Sequence, residues 1–331
     1  GARRGNPRPT LDIHPPTPDA APAMTAYQTL EIAQDGPVRH VRLNRPEVRN
    51  AFNGTVVDEL QHAFAAAADD AATRVVVLTG NGKSFSAGAD LAWMQEQANL
   101  PEADNQVGAE RMARMFLAIA RCSKPVVARI FGHALGGGTG LTAAVDIAVC
   151  TEDCLFGLTE VKLGIVPAVI SPFVMQKIGA GRARTLFLTG ERFDGKEAER
   201  IGLVQRAVPT PELDATVHKY VAELLAAGPC AVASAKQLIG AVAPLSLEGA
   251  SRSRPAGSRN CAASPRLERA SRRSWASGRR TGWRRPQLSR IDPSPTHRRL
   301  RPASLASKTI SRSDMVCSLD ITSCNSGDHA V

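Results

Sequence analysis

An α/β fold is predicted by three observations. Short apolar runs at Val75-Val76-Val77-Leu78, Val126-Val127-Ala128-Arg129-Ile130 and Ile147-Ala148-Val149-Cys150 read as strands, the first buried on both faces. Stretches of helical composition near 55–69, 106–121 and 137–144 alternate with them. Apolar residues make up 43% of the 331, enough for a substantial core in one or two domains.

Taken in order, the elements are as follows. Residues 27–33 and 37–43 alternate as two strands joined at Asp35-Gly36-Pro37. Residues 55–69 place Val56, Leu60 and Phe64 on one helical face. The strand at 75–78 ends at Gly80, and a small-residue turn, Ser86-Ala87-Gly88-Ala89-Asp90, leads into a helix at Leu91-Ala92-Trp93-Met94. The strand at 126–130 starts after Pro125 and the one at 147–150 after Asp146. Residues 171–240 read as mostly helical, broken at Gly179, Gly190, Pro209 and Gly228-Pro229.

Both ends are out of character with this body. Residues 1–23 are rich in Pro and Ala without periodicity, and the first Met is Met24, so the expectation is a disordered extension ahead of the true start. The body, 24–248, is read as one domain, with 21 Lys/Arg against 24 Asp/Glu, a net of −3. The tail, 249–331, has 17 Lys/Arg against five Asp/Glu, and 16 of those cations are Arg. That Arg bias, with fragments such as Ser264-Pro265-Arg266, is what a GC-rich gene gives when read out of frame. The tail is therefore read as a disordered basic segment, a frameshift product or a natural arm. Only the tail supports a nucleic-acid reading, and the net charge of +10 comes from it.

The seven cysteines form no C-x-x-C pair, and Cys150 and Cys154 have no histidines at metal-ligand spacing. Reduced thiols and a cytoplasmic protein are expected. No charge-free apolar run reaches the roughly 18 residues of a membrane span.

Three runs carry the candidate chemistry. In the first, 86–90, small residues let backbone N–H groups approach a ligand. The second, Gly136-Gly137-Gly138-Thr139-Gly140, enters an apolar helix whose N-terminus favours negative charge. Glycines at a helix start cost about 1 kcal/mol each relative to Ala, which makes sense where backbone must come close to something. A phosphate-loop reading fails, because no Lys-Ser/Thr follows the glycines. Two donors on successive α/β units could converge on one carbonyl oxygen. The third run, Phe156-Gly157-Leu158-Thr159-Glu160, supplies one carboxylate. His133 reads as a packing or hydrogen-bonded residue, and Arg45 and Arg49 as either anion contacts or solvated groups.

These runs, with Asn44-Arg45-Pro46 upstream and Gly164-Ile165-Val166-Pro167 downstream, resemble the crotonase (enoyl-CoA hydratase/isomerase) superfamily over about residues 27–248. The resemblance implies a fold of repeated ββα units with a helical C-terminal part. It implies that the Ala89 and Gly137 amides hold a thioester oxygen and that Glu160 moves a proton at the α-carbon. Ala87, Asp90 and Leu91 match the stretch lining the CoA arm. CoA is then part of an acyl-CoA thioester substrate, and no separate cofactor or metal is implied. Homotrimers or hexamers are expected where the C-terminal helices are present.

One position departs from the family pattern: Gly140 stands where its other catalytic glutamate would be. Enoyl-CoA hydratase remains the expected activity, with a one-base double-bond isomerase as the alternative. The segments Ala89–Met94 and Glu160–Pro172 resemble bacterial proteins assigned as methylglutaconyl-CoA or carboxygeranoyl-CoA hydratases, of leucine or branched-terpenoid breakdown. A reading of another class is a non-catalytic protein that binds nucleic acid through its Arg-rich tail, with steep salt dependence.

Overall fold

The computed structural model describes residues 26–252. The expectations for 1–23, and for all but the first residues of 249–331, lie outside that range. The predicted α/β architecture is found, organised around a six-stranded sheet. Its strands are β1 (Leu30–Asp35), β2 (Val38–Leu43), β3 (Val75–Gly80), β4 (Val126–Ile130), β6 (Ile147–Thr151) and β9 (Arg206–Val208), in the order β1-β2-β3-β4-β6-β9. The β1–β2 hairpin turns at Gly36-Pro37 and is antiparallel; every other pair is parallel. Parallel neighbours need crossovers, and helices supply them.

The period-2 alternation of the strands divides the core in two. Val41, Leu43, Val76, Leu78, Val126 and Ala128 face a large cluster shared with α1 (Gly54–Asp69) and α3 (Glu102–Ala120). Val38, Val75, Val77, Val127 and Val149 face the opposite way, against Leu213, Val217 and Val221 of α7 (Leu213–Ala226). This is why β3 reads as wholly apolar: both of its faces are covered.

Helix α1 begins where Asn53 caps it, its side chain accepting from Val56 N–H at 3.2 Å. It buries Val56, Leu60 and Phe64 as predicted, and also Glu59. The Glu59 carboxylate accepts from Gln28 N–H (2.6 Å), Thr29 N–H (2.9 Å) and the Thr29 hydroxyl (2.5 Å). That anchor explains why β1 starts at Leu30 and not at Tyr27: the preceding amides bond to a side chain.

The remaining elements frame the site. Helix α2 spans Leu91–Ala98 and α4 spans Gly137–Ala144. A second, three-stranded sheet joins β5 (His133–Leu135), β7 (Leu155–Gly157) and β8 (Arg192–Phe193). The sequence gives no signal for it, since strands of two or three residues have no measurable period. The C-terminal part is helical: α5 (Ser171–Thr189), α6 (Gly195–Arg200), α7, α8 (Pro229–Val242) and α9 (Leu247–Arg252). Gly179 interrupts α5 with a φ of +75°. Helix α9 crosses the expected boundary at 248/249, so helical structure extends at least to residue 252. Among the described residues no single helix is long and apolar enough to cross a membrane.

Candidate active site

The turn 85–90 is fixed by nearly complete backbone pairing. Asn50, 1% exposed, donates its side-chain amide to the carbonyls of Asn81 and Ser84, both at 2.8 Å. Phe85 N–H then donates to Phe131 O, Ser86 N–H to His133 O, and Ala87 N–H to Arg49 O, each at 2.9 Å. Gly88 N–H reaches the Ser86 hydroxyl at 3.2 Å, and Asp90 N–H reaches Phe52 O at 3.1 Å. Among the described residues, the Ala89 N–H alone in this run has no partner. Ala89 is half-buried, and a free donor in an otherwise paired loop marks a place for an external acceptor.

The glycine run delivers a second such donor. Gly136 N–H is held by Gly157 O at 2.8 Å, and α4 starts at the next residue. The Gly137 N–H, at the first helical position, has no intrahelical acceptor. The two runs touch: a Cβ at Gly88 would lie 3.1 Å from Gly137 N and 2.5 Å from Leu135 O. A Cβ at Gly137 would lie 2.1 Å from Phe52 Cζ. Glycine is needed there for close approach of backbone to its neighbours.

Glu160 completes the group. It opens a 3-10 helix, Glu160–Leu163, that follows β7 and ends at Gly164. Its Oε1 lies 3.2 Å from where a Cβ on Gly136 would be. Its Oε2 is buried and has no hydrogen-bond partner among the described residues. Burial raises the carboxyl above the ordinary glutamate pKa, and a hydrogen bond from its own backbone opposes this weakly. The structure therefore brings Glu160, Ala89 and Gly137 to one place.

All three line a pocket of about 590 Å³. Val48, Ala51, Ala87, Leu91, Met94 and Leu135 form most of its apolar wall. Asp90 also lines it, but its carboxylate is engaged. It caps α2 by accepting from Ala92 N–H at 3.0 Å and pairs with both terminal nitrogens of Arg45 at 3.2 Å. Arg45 thus braces the pocket wall, while Arg49 contributes its carbonyl to Ala87 N–H. His133 has a structural setting in β5, with Nδ1 3.1 Å from the Ser84 hydroxyl.

Gly140 does not leave a gap. A Cβ there would lie 2.4 Å from Ile170 Cγ2 and 3.1 Å from Phe116 Cε1. Both side chains are buried, so the space beside Gly140 is apolar and filled, behind the residues that line the pocket. Ile170 and Phe116 carry no signal in the sequence, because their contact with Gly140 is made only by the fold. The same holds for Lys162 and Arg192, two cations that line the pocket near Glu160.

Two other features carry no comparable chemistry. A cleft of about 660 Å³ lies on the opposite sheet face, beside α7. Its arginines are paired, Arg42 with Glu31 and Arg129 with Asp214. Cys150 and Cys154 are buried thiols; burial pushes Cys150 up to about 12 and raises Cys154 further, so neither is a nucleophile at neutral pH.

Comparison with known proteins gives a consistent picture. The sequence profile described as enoyl-CoA hydratase/isomerase matches residues 33–254. A crotonyl-CoA hydratase of Syntrophomonas wolfei is 34% identical over 213 residues, covering 64% of this chain and 81% of that protein. The crystal structure of an enoyl-CoA hydratase from Mycobacterium smegmatis superposes with a TM-score of 0.71 at 30% identity, over 77% of this chain and 98% of that one. One from Shewanella pealeana gives 0.71 at 29% identity, over 76% and 94%.

Proposed function

The chain belongs to the enoyl-CoA hydratase/isomerase family, and from that premise we propose that it hydrates a 2-enoyl-CoA thioester with Glu160 as its single acid–base group. The observation that carries the reading is the buried, unpartnered Oε2 of Glu160 beside two unpartnered amides. The thioester oxygen accepts from the Ala89 and Gly137 N–H groups. Addition of water at C3 pushes charge onto that oxygen, and fixed donors stabilise it as it develops. The Glu160 carboxylate takes the proton from water and returns it to C2. Its raised pKa makes it a better base than an exposed glutamate. Ala87, Asp90 and Leu91 border the CoA arm. The thioester supplies the acidity of the α-carbon, so the reaction calls for no metal or redox cofactor.

Within this reading the acyl chain is branched or carboxylated, as in methylglutaconyl-CoA. The likeness of Ala89–Met94 and Glu160–Pro172 to bacterial hydratases of such substrates supports it. The working form is a homotrimer or a pair of trimers, which would cover the apolar side chains left exposed at Leu238, Ile239 and Leu247. Sedimentation velocity tests this; a monomer would overturn it.

The filled space at Gly140 favours one second reading. A single carboxylate suffices to move a proton between carbons, which would make the protein a double-bond isomerase. Incubating the full chain with 2-enoyl-CoA and 3-enoyl-CoA in water carrying ¹⁸O and deuterium separates the two. Oxygen label in the product supports hydration, and deuterium on carbon without oxygen label supports isomerisation. Finding neither a hydrated product nor a shifted double bond overturns both.

A further inference from the structure

The pocket around Glu160 contains four charged side chains: Asp90, Glu160, Lys162 and Arg192. Asp90 is neutralised by Arg45, and Glu160 is the acid–base group of the reading above. Lys162 and Arg192 remain, and neither has an ion-pair or hydrogen-bond partner among the described residues. Most other pocket side chains are apolar, so these two cations are its unexplained feature.

Their placement is specific. Arg192 lies in β8, directly opposite Gly157 of β7, three residues before Glu160. Its Cγ is 3.3 Å from where a Cβ on Gly157 would be. Lys162 stands two residues after Glu160 on the 3-10 helix. Its Cγ and Cε lie 3.3 and 3.2 Å from where a Cβ on Gly190 would be, so its stem rests on the chain just before β8. Both cations thus belong to the β7–β8 side of the pocket, where Glu160 is. The amides of Ala89 and Gly137, and the Ala87–Leu91 wall, come from other elements.

We infer that Lys162 and Arg192 bind a carboxylate at the far end of the acyl chain, and so select dicarboxylic over neutral 2-enoyl thioesters. This rests on the reading of the pocket as a thioester site. With C1 held by the two amides and C2 beside Glu160, the chain continues along the Glu160 side, toward Lys162 and Arg192. CoA leaves along the Ala87–Leu91 wall, which carries its phosphates away from both cations. Arg offers a planar fork that matches a carboxylate in two hydrogen bonds, and Lys adds a compact charge beside it.

The test uses the full chain and two probes, glutaconyl-CoA and crotonyl-CoA, the first bearing a distal carboxylate and the second none. Dissociation constants come from calorimetry, and kcat/KM from product formation. Arg192→Met and Lys162→Met each weaken glutaconyl-CoA binding by about 10–100-fold and change crotonyl-CoA binding less than about threefold, the span of a charged hydrogen bond. Arg192→Lys retains part of the preference. Both side chains are exposed, so the variants fold. Equal losses on both probes would assign the cations to CoA phosphate and overturn the inference, as would no loss on either. Selective binding without turnover would uphold the inference while overturning the proposed reaction. Absence of binding by either probe would overturn both.

Discussion

Glu160 combines burial, an empty hydrogen-bonding valence and a raised pKa in one side chain, and these have opposite consequences for chemistry and for stability. As the base, it must be ionised to act. Activity therefore rises with pH through its raised pKa, with the acidic limb of kcat/KM above the ordinary carboxylate range. Replacing it by Gln should lower kcat by about 10²–10⁴-fold while leaving the thioester dissociation constant unchanged. The folded carboxyl titrates above its unfolded value. Between the two pKa values the native state holds more protons, so stability falls as pH rises through that window. Glu160→Gln removes the buried charge. The variant should melt higher than wild type at pH 7 to 8, with the difference vanishing near pH 4, as thermal scans at both pH values would show. A lower melting temperature at pH 8 would mean that the carboxylate has a stabilising partner.

Elements meet in this protein through backbone, and glycine is what permits it. The α4 start packs against the 85–90 turn because Gly88 and Gly138 lack a Cβ; one at Gly138 would lie 2.5 Å from Ser86 O. Gly140 packs against Ile170, the residue just before α5. Ala is normally favoured over Gly inside a helix by about 1 kcal/mol. At 140 the sign should reverse. Gly140→Ala should destabilise by about 1–3 kcal/mol through overpacking, measured by urea denaturation. Ile170→Ala in the same chain should recover part of that loss, since it removes Cγ2 but leaves a Cβ at 2.9 Å. A neutral Gly140→Ala would show that the wall yields, and that a carboxylate could be built there by one substitution.

At the scale of the molecule, one C-terminal helix is only loosely embedded among the described residues. Helix α8 has no fully buried residue. It is tied down by Lys236, which donates to Asp146 Oδ2 at 2.7 Å and to Lys124 O at 3.2 Å. Asp146 also accepts from Val126 N–H at 2.7 Å, so this tether ends on the central sheet. Lys177 is half-buried beside it, its amine held below the usual lysine pKa by desolvation and by Lys236, with Asp146 opposing. Lys236→Met should speed amide hydrogen exchange across 229–242 and leave β3 and β4 protected. Unchanged exchange in α8 would mean that its apolar contacts suffice. The loss should leave Glu160 chemistry intact, because the tether lies outside the pocket.

Amino-acid order alone determined the long elements and the three chemical runs. Val56, Leu60 and Phe64 announce α1 by spacing, and the apolar run from Val75 announces a strand covered on both faces. The glycines of 136–138 announce close backbone approach. Each of these signals is local, a period or a composition within one window. Tertiary structure alone decided which amides stay free: Ser86, Ala87 and Asp90 find acceptors in distant segments, and the Ala89 N–H between them does not. It also decided that Ile170 fills the space at Gly140, and that Arg192, on a strand of two residues, reaches the pocket. Such facts depend on contacts between residues far apart in the chain, and no periodicity within one segment encodes them.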